Sequence, residues 1–78
     1  MKIIEQYARE FNEIHVECQE RLSRILALDS LFRKIVNQDG YEDQTERLRV
    51  EIQFLAGVHQ EQVARALTLQ TLIKMMSS

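Results

Sequence analysis

Apolar residues recur at alternating spacings of three and four along the first half of the chain. This spacing places their side chains on one stripe of an α-helix. It predicts a first helix over about residues 3–37, on the order of 50 Å long at about 1.5 Å per residue. Asp29 projects toward the stripe, so a kink or a restart of the helix there stays open. The stripe has one strongly polar member, Arg21, and consists of Ile4, Tyr7, Phe11, Ile14, Cys18, Arg21, Ile25, Leu28, Phe32 and Ile35.

A broader stripe in the second half predicts a second helix over about residues 43–76. The expected members of this stripe are Leu48, Ile52, Leu55, Ala56, His59, Val63, Ala66, Leu67 and Ile73. The chain has no proline and two glycines, so it lacks the residues that separate strands and hairpin turns. Two helices joined by a short loop fold back antiparallel. The predicted fold class is all-α, a coiled-coil-like αα-hairpin of two long antiparallel helices in a single domain, residues 1–78.

The hinge between the helices is predicted at about residues 38–42. Gly40 is expected to follow the first helix in a left-handed backbone conformation, because glycine adopts positive φ without a steric penalty. Asp43 is predicted to cap the second helix, with Glu46 three residues later as its capping-box partner. These signals together indicate a tight turn between two helices.

The same stretch also resembles part of a calcium-binding loop. With the glycine of the EF-hand pattern on Gly40, Asn37, Asp39 and Glu46 fall where oxygen ligands belong. The first ligand position falls on Ile35, which has no side-chain oxygen, and there is no second loop to pair with the first. We therefore expect no metal site, although a calcium sensor stays open as a minor alternative.

Antiparallel pairing about Gly40 makes the numbers of residues that face each other add up to about 80. Arg21 then faces His59, and Cys18 lies near Gln62, so the polar exceptions of both helices meet at one level. One interpretation of this cluster is a binding or metal site. The interpretation that we favour is a polar layer that fixes the register of the hairpin.

Charge and composition exclude several classes of function. Ten basic and twelve acidic residues give a net charge of −2, which does not favour binding to nucleic acid. No apolar run is long enough for a signal sequence or a membrane span, and the single Cys18 fits a reducing compartment. No catalytic motif is present, and a bare hairpin offers no cleft. We expect a cytoplasmic protein that is not an enzyme and needs no cofactor.

A second apolar arc on the second helix predicts a protein partner. A single antiparallel neighbour cannot cover it, and each large side chain left exposed forgoes roughly 1.5–3 kcal/mol of burial. Gly57, at the edge of this arc, leaves room for another backbone to approach. The occupant is either a foreign protein or a second hairpin, which would complete a four-helix bundle. The predicted partner-binding residues are Val50, Phe54, Val58, Leu69, Leu72, Met75 and Met76.

The organisation of the chain resembles the small YscE-like proteins of bacterial type III secretion systems. The resemblance covers nearly the whole chain and lies in its length, a polar hinge followed by Tyr41, and a second helix with few charges. The lack of proline around the hinge departs from some members. The resemblance implies a bacterial helical hairpin that joins a tetratricopeptide-repeat co-chaperone and helps to keep the needle subunit soluble and monomeric before export. It transfers no individual site residue by motif.

Two other functions stay open at this point. The chain is similar in size and helical content to needle and inner-rod subunits, and filament formation by the isolated protein would favour that alternative. A homodimeric four-helix bundle that regulates another protein is the second.

Overall fold

A computed structural model describes residues 2–77, which form two long helices folded back on each other. Helix α1 spans Ile3–Ile35 and helix α2 spans Glu42–Ser77. The hairpin measures 58 × 17 × 14 Å, so it is a rod rather than a globule. The predicted all-α hairpin is confirmed. The predicted domain also includes Met1 and Ser78, which lie outside the described residues.

Helix α1 runs without interruption past Asp29, so the helix does not restart there. The Arg33 Nε atom lies 2.9 Å from the Asp29 Oδ2 atom, one helical turn away. This ion pair occupies the carboxylate that would otherwise compete for backbone N–H groups. The helix ends at Ile35, two residues before the predicted boundary, and the Val36 N–H donates to the Phe32 carbonyl oxygen at 2.9 Å.

The hinge confirms one predicted feature and corrects another. Gly40 has a φ of 91°, the left-handed conformation expected for it. Helix α2 begins at Glu42, so Asp43 lies inside the first turn and the prediction that it caps the helix is wrong. The carbonyl of Tyr41 accepts the first helical hydrogen bond, from the Thr45 N–H at 2.9 Å, and the Thr45 hydroxyl donates to the same oxygen at 2.8 Å.

The seam between the helices uses the predicted stripe of α1, all of whose members are buried or half-buried. On α2 the seam keeps strict alternating spacings of three and four. Its buried and half-buried members are Thr45, Leu48, Ile52, Leu55, His59, Gln62, Ala66, Leu69 and Ile73.

Three residues predicted for the α2 core are exposed instead, namely Ala56, Val63 and Leu67. A repeat of 3.5 residues drifts by about 20° per heptad against an ideal helix of 3.6 residues per turn. The two helices wind around each other to follow that drift, whereas the predicted stripe kept one fixed direction. Gln62 and Leu69 therefore take the places that the prediction gave to Val63 and Leu67.

The seam produces a thin core. Within residues 2–77 the most deeply buried side chains are Ile14, Thr45 and Leu69, and Leu69 has no exposed surface at all. Each helix buries one stripe and leaves the rest of its circumference to solvent, as expected for a domain with a single helix-on-helix contact. The hairpin by itself therefore buries little of its apolar surface.

Candidate protein-docking surface

A polar layer crosses the middle of the seam, where the sequence predicts one. The Cys18 thiol donates to the Gln62 Oε1 atom at 3.8 Å, and the Arg21 guanidinium donates to the same oxygen. The Gln62 amide in turn donates to the Glu17 Oε2 atom at 2.7 Å. The numbers of Cys18 and Gln62 add up to about 80, so the predicted register is confirmed.

His59 belongs to the same region but stands apart from this network. Its Nδ1 atom is buried and has no hydrogen-bond partner among the described residues. Nowhere in residues 2–77 do three or more His, Cys, Asp or Glu side chains come together as ligands for a metal ion. The layer is organised around one amide and one guanidinium, which suits a structural role in setting the register.

One side of the seam carries ion pairs between the helices. The Arg65 Nη2 atom lies 2.9 Å from the Glu10 Oε2 atom, and Arg24 pairs with Glu51. Glu17 lies between these pairs and accepts a hydrogen bond from the Gln62 amide. We call this side the ion-pair flank; its residues are Glu10, Glu17, Arg24, Glu51 and Arg65. All four ion-paired groups are partly exposed, so each pair is worth only about 0.2–1 kcal/mol.

The opposite side of the seam has no charged residue over most of its length. On α1 this side has no charged residue between Glu5 and Asp29. On α2 it has none between Arg49 and Lys74. We call the stretch between them the uncharged flank. It consists of Ala8, Asn12, His15, Gln19, Leu22 and Leu26 on α1 and of Gln53, Ala56, Gln60, Val63, Leu67 and Gln70 on α2.

Shallow grooves run along the uncharged flank and show that residues of both helices share it. One groove of about 200 Å³ has His15 on one wall and Val63 and Leu67 on the other. A second, of about 330 Å³, continues toward the open end of the hairpin between Asn12 and Lys74. Their floors are seam residues such as Phe11, so apolar surface is accessible from this side.

The outer surface of α2 carries the second apolar feature. Phe54 is 69% exposed and Val50 is 56% exposed, and one helical turn separates them. We call these two residues the outer ridge, because they point away from the seam. Met75 and Met76 are also exposed, at the C-terminal end of the same helix.

The predicted partner-binding set must be corrected at Leu69. That residue is fully buried in the seam of the hairpin and has no surface to offer. Val58 and Leu72 are half-buried beside the ion-pair flank, so each offers only part of its side chain. The exposure expected for Val50 and Phe54 is present, and their role in binding remains a prediction.

The uncharged flank was not among the sequence predictions, although the sequence contains a signal for it. Val63 and Leu67 are among the residues that the sequence predicts for the core of α2. Each residue of the α1 stripe can be paired with the α2 residue whose number brings the sum to about 80. This pairing places Gln62 and Leu69 in the seam. The α2 residues that directly follow the seam residues in sequence are then predicted to form a separate exposed flank.

Neither helix, within residues 2–77, has a stretch that is both long enough and apolar enough to cross a bilayer. Comparisons with protein-family models, with curated proteins and with solved structures each give no match for this chain.

Proposed function

We propose that this chain is a non-enzymatic protein-binding module of the bacterial cytoplasm. It would act as a type III secretion co-chaperone that helps to keep a needle subunit soluble and monomeric before export. One observation carries the binding function: within residues 2–77, thirteen large apolar side chains are exposed, whereas Ile14 and Leu69 are the apolar residues that the hairpin buries. An excess of this kind marks a surface that a partner covers.

The outer ridge is the proposed contact with the co-chaperone. Phe54 is a large, rigid aromatic side chain that is mostly exposed, and such residues dominate binding energies at interfaces. Val50 extends the contact by one turn, and Met75 and Met76 add adaptable side chains further along α2. Burying one such side chain contributes roughly 1.5–3 kcal/mol.

The shape of the hairpin suits the proposed class of partner. Tetratricopeptide repeats stack into superhelices with long concave surfaces. A rod 58 Å long with an apolar ridge can lie in such a surface over several repeats. The module would complete the fold of the co-chaperone, which then covers the polymerising helix of the needle subunit. Masking of this kind requires shape and apolar surface but no chemical step.

Co-expression with the tetratricopeptide-repeat protein and the needle subunit of the same bacterium tests the proposal. We expect a soluble complex of the three chains with a defined mass by light scattering. Phe54→Glu should remove this chain from the complex, because the ridge would then bury an unpaired charge. Val16→Glu is the matched control, since Val16 is similarly exposed on α1 and lies outside the ridge.

Three outcomes would contradict the proposal. The first is the finding that the bacterium that encodes this chain has no type III secretion genes. The second is that the Phe54→Glu chain enters the complex as well as the natural chain does. The third is filament formation by the purified chain alone, which would make it a needle or inner-rod subunit instead.

A further inference from the structure

We infer that the uncharged flank binds a second copy of this chain and that the two copies form a two-fold symmetric four-helix bundle. The two-fold axis runs along the hairpin, so that α1 of each copy lies antiparallel against α2 of the other and the two hinges lie side by side. This inference is independent of the proposed function, because the outer ridge points away from this flank.

The polar groups of the flank are chemically suited to their own copies. In a two-fold interface the same patch faces itself, so a charge near its centre meets a like charge. The flank has none between its ends. Its polar side chains include Gln19, Gln53 and Gln60, and each amide is both a donor and an acceptor. Gln19 and Gln60 lie at the same level of the hairpin and would therefore meet across the dimer.

The sizes of the side chains that face each other are also compatible. In this arrangement each residue of α1 meets the α2 residue of the second copy that lies at the same height along the hairpin. Leu22 and Leu26 on α1 then face Ala56 and Gln53 of the second copy. Large side chains opposite a small one and a flexible one can interdigitate, as the layers of a four-helix core do.

Charges at the two ends of the flank select this axis. At the hinge end, Asp29 and Arg33 of one copy face Arg49 and Glu46 of the other, so opposite charges meet. Within one chain, Arg33 already pairs with Asp29 and Arg49 with Glu46, at 2.9 and 2.8 Å. Contact between the copies would join the two pairs into one network of alternating sign.

The open end of the hairpin shows the same complementarity. Glu5 of one copy faces Lys74 of the other, and neither side chain forms an ion pair within residues 2–77. A two-fold axis perpendicular to the length of the hairpin would instead bring Arg49 of one copy toward Lys74 of the other. That contact places like charges together, so the axis along the hairpin is favoured.

The area of the face is sufficient for a stable dimer. A side of the hairpin 58 Å long and 17 Å wide corresponds to an area on the order of 1,000 Å². A standard interface buries about 800 Å² on each partner. A second copy would also provide the additional core that a small two-helix domain lacks.

Light scattering and sedimentation equilibrium across a concentration series test the inference. We expect the mass of two chains for the natural sequence and a dissociation constant raised at least about 100-fold by Leu67→Glu, since the interface would bury an unpaired charge. Val50→Glu is the matched control, because Val50 is 56% exposed and Leu67 is 58% exposed. The Val50→Glu chain should dimerise like the natural one.

Mixing two variants tests the axis. Chains with Leu26→Glu should dimerise weakly alone and recover when mixed with Gln53→Lys chains, because the new charges then meet across the dimer. Recovery with Asn12→Lys chains instead would indicate the axis perpendicular to the length of the hairpin and overturn the arrangement. A monomer at every concentration, or a dimer that Val50→Glu splits and Leu67→Glu does not, would overturn the inference.

The same variants separate this inference from the proposed function. Leu67→Glu should abolish the dimer and retain binding to the co-chaperone, whereas Phe54→Glu should do the reverse. If both variants abolish co-chaperone binding and neither changes the mass of the isolated chain, the uncharged flank is a site for a foreign protein and the second copy is excluded.

Discussion

Gln62 accepts a hydrogen bond from the Arg21 guanidinium across the seam, although the two residues are 41 positions apart in the chain. Sliding one helix against the other would place this guanidinium beside apolar neighbours and leave it without an acceptor. A half-buried charge without a partner is costly, so the contact favours a single register. Apolar seam residues alone discriminate weakly between registers one heptad apart.

The polar layer predicts a clear response to Gln62→Leu. This change removes the acceptor of Arg21 and Cys18 and the donor to Glu17, so the free energy of unfolding should fall by about 1–3 kcal/mol. Urea denaturation at one fixed protein concentration measures it. Gln6→Leu is the control, because Gln6 is exposed on α1 and should change stability by less than about 0.5 kcal/mol.

The double variant Arg21→Leu with Gln62→Leu separates stability from register. Replacing both partners by apolar residues should recover most of the loss, because no buried polar group is then left unpaired. The register should become less well defined, which spin-label distances between the helices would show as a broader distribution. If the double variant is as unstable as Gln62→Leu alone, the polar layer is not the source of the effect.

Leu69 provides a second prediction, because it is the most deeply buried residue of the hairpin. Leu69→Ala should lower the free energy of unfolding by about 2–5 kcal/mol through lost burial and the cavity left behind. Leu31→Ala makes the same chemical change at a half-exposed position away from the uncharged flank and should cost much less. Equal losses in thermal or urea unfolding would contradict the position of Leu69 in the seam.

The sequence predicted most of the fold, and the reason is visible in particular residues. Hairpin topology follows from two long periodic segments and one glycine, and Gly40 does adopt the positive φ that the turn requires. Helix ends are less predictable: both Asp43 and Tyr41 can occupy a cap position, and only backbone hydrogen bonding decides between them. The face of α2 was misplaced because the helices coil around each other, which a fixed helical wheel ignores.

The exposed ion pair between Arg65 and Glu10 predicts a small and salt-dependent contribution. A double-mutant cycle with Arg65→Gln and Glu10→Gln should give a coupling energy of about 0.2–1 kcal/mol at low salt. The coupling should fall when the ionic strength is raised to about 1 M, where the screening length is about 3 Å. A large coupling that persists in salt would mean that the pair is covered by another chain.

The candidate docking surface was less predictable than the fold. A helical wheel identifies exposed apolar residues such as Phe54 without knowledge of the partner helix. The helical wheel cannot tell which of Leu67 and Leu69 lies in the seam. The two residues are only two positions apart, and the side of the helix that faces the seam depends on the local winding. The uncharged flank becomes visible only when both helices are placed in register, since its two halves lie on different helices and are far apart in the chain.

The two glycines predict opposite responses to the same substitution. Gly40→Ala should lower the free energy of unfolding by about 1 kcal/mol, because an alanine at φ 91° is strained even though its Cβ would meet no atom within 4 Å. Gly57→Ala should raise it by about 0.5–1 kcal/mol, since Gly57 lies inside α2 and its Cβ would also meet open space. Thermal unfolding of both variants at equal concentration measures the contrast. A loss of stability with Gly57→Ala would show that another backbone approaches α2 at this position, and a gain with Gly40→Ala would rule out the left-handed turn.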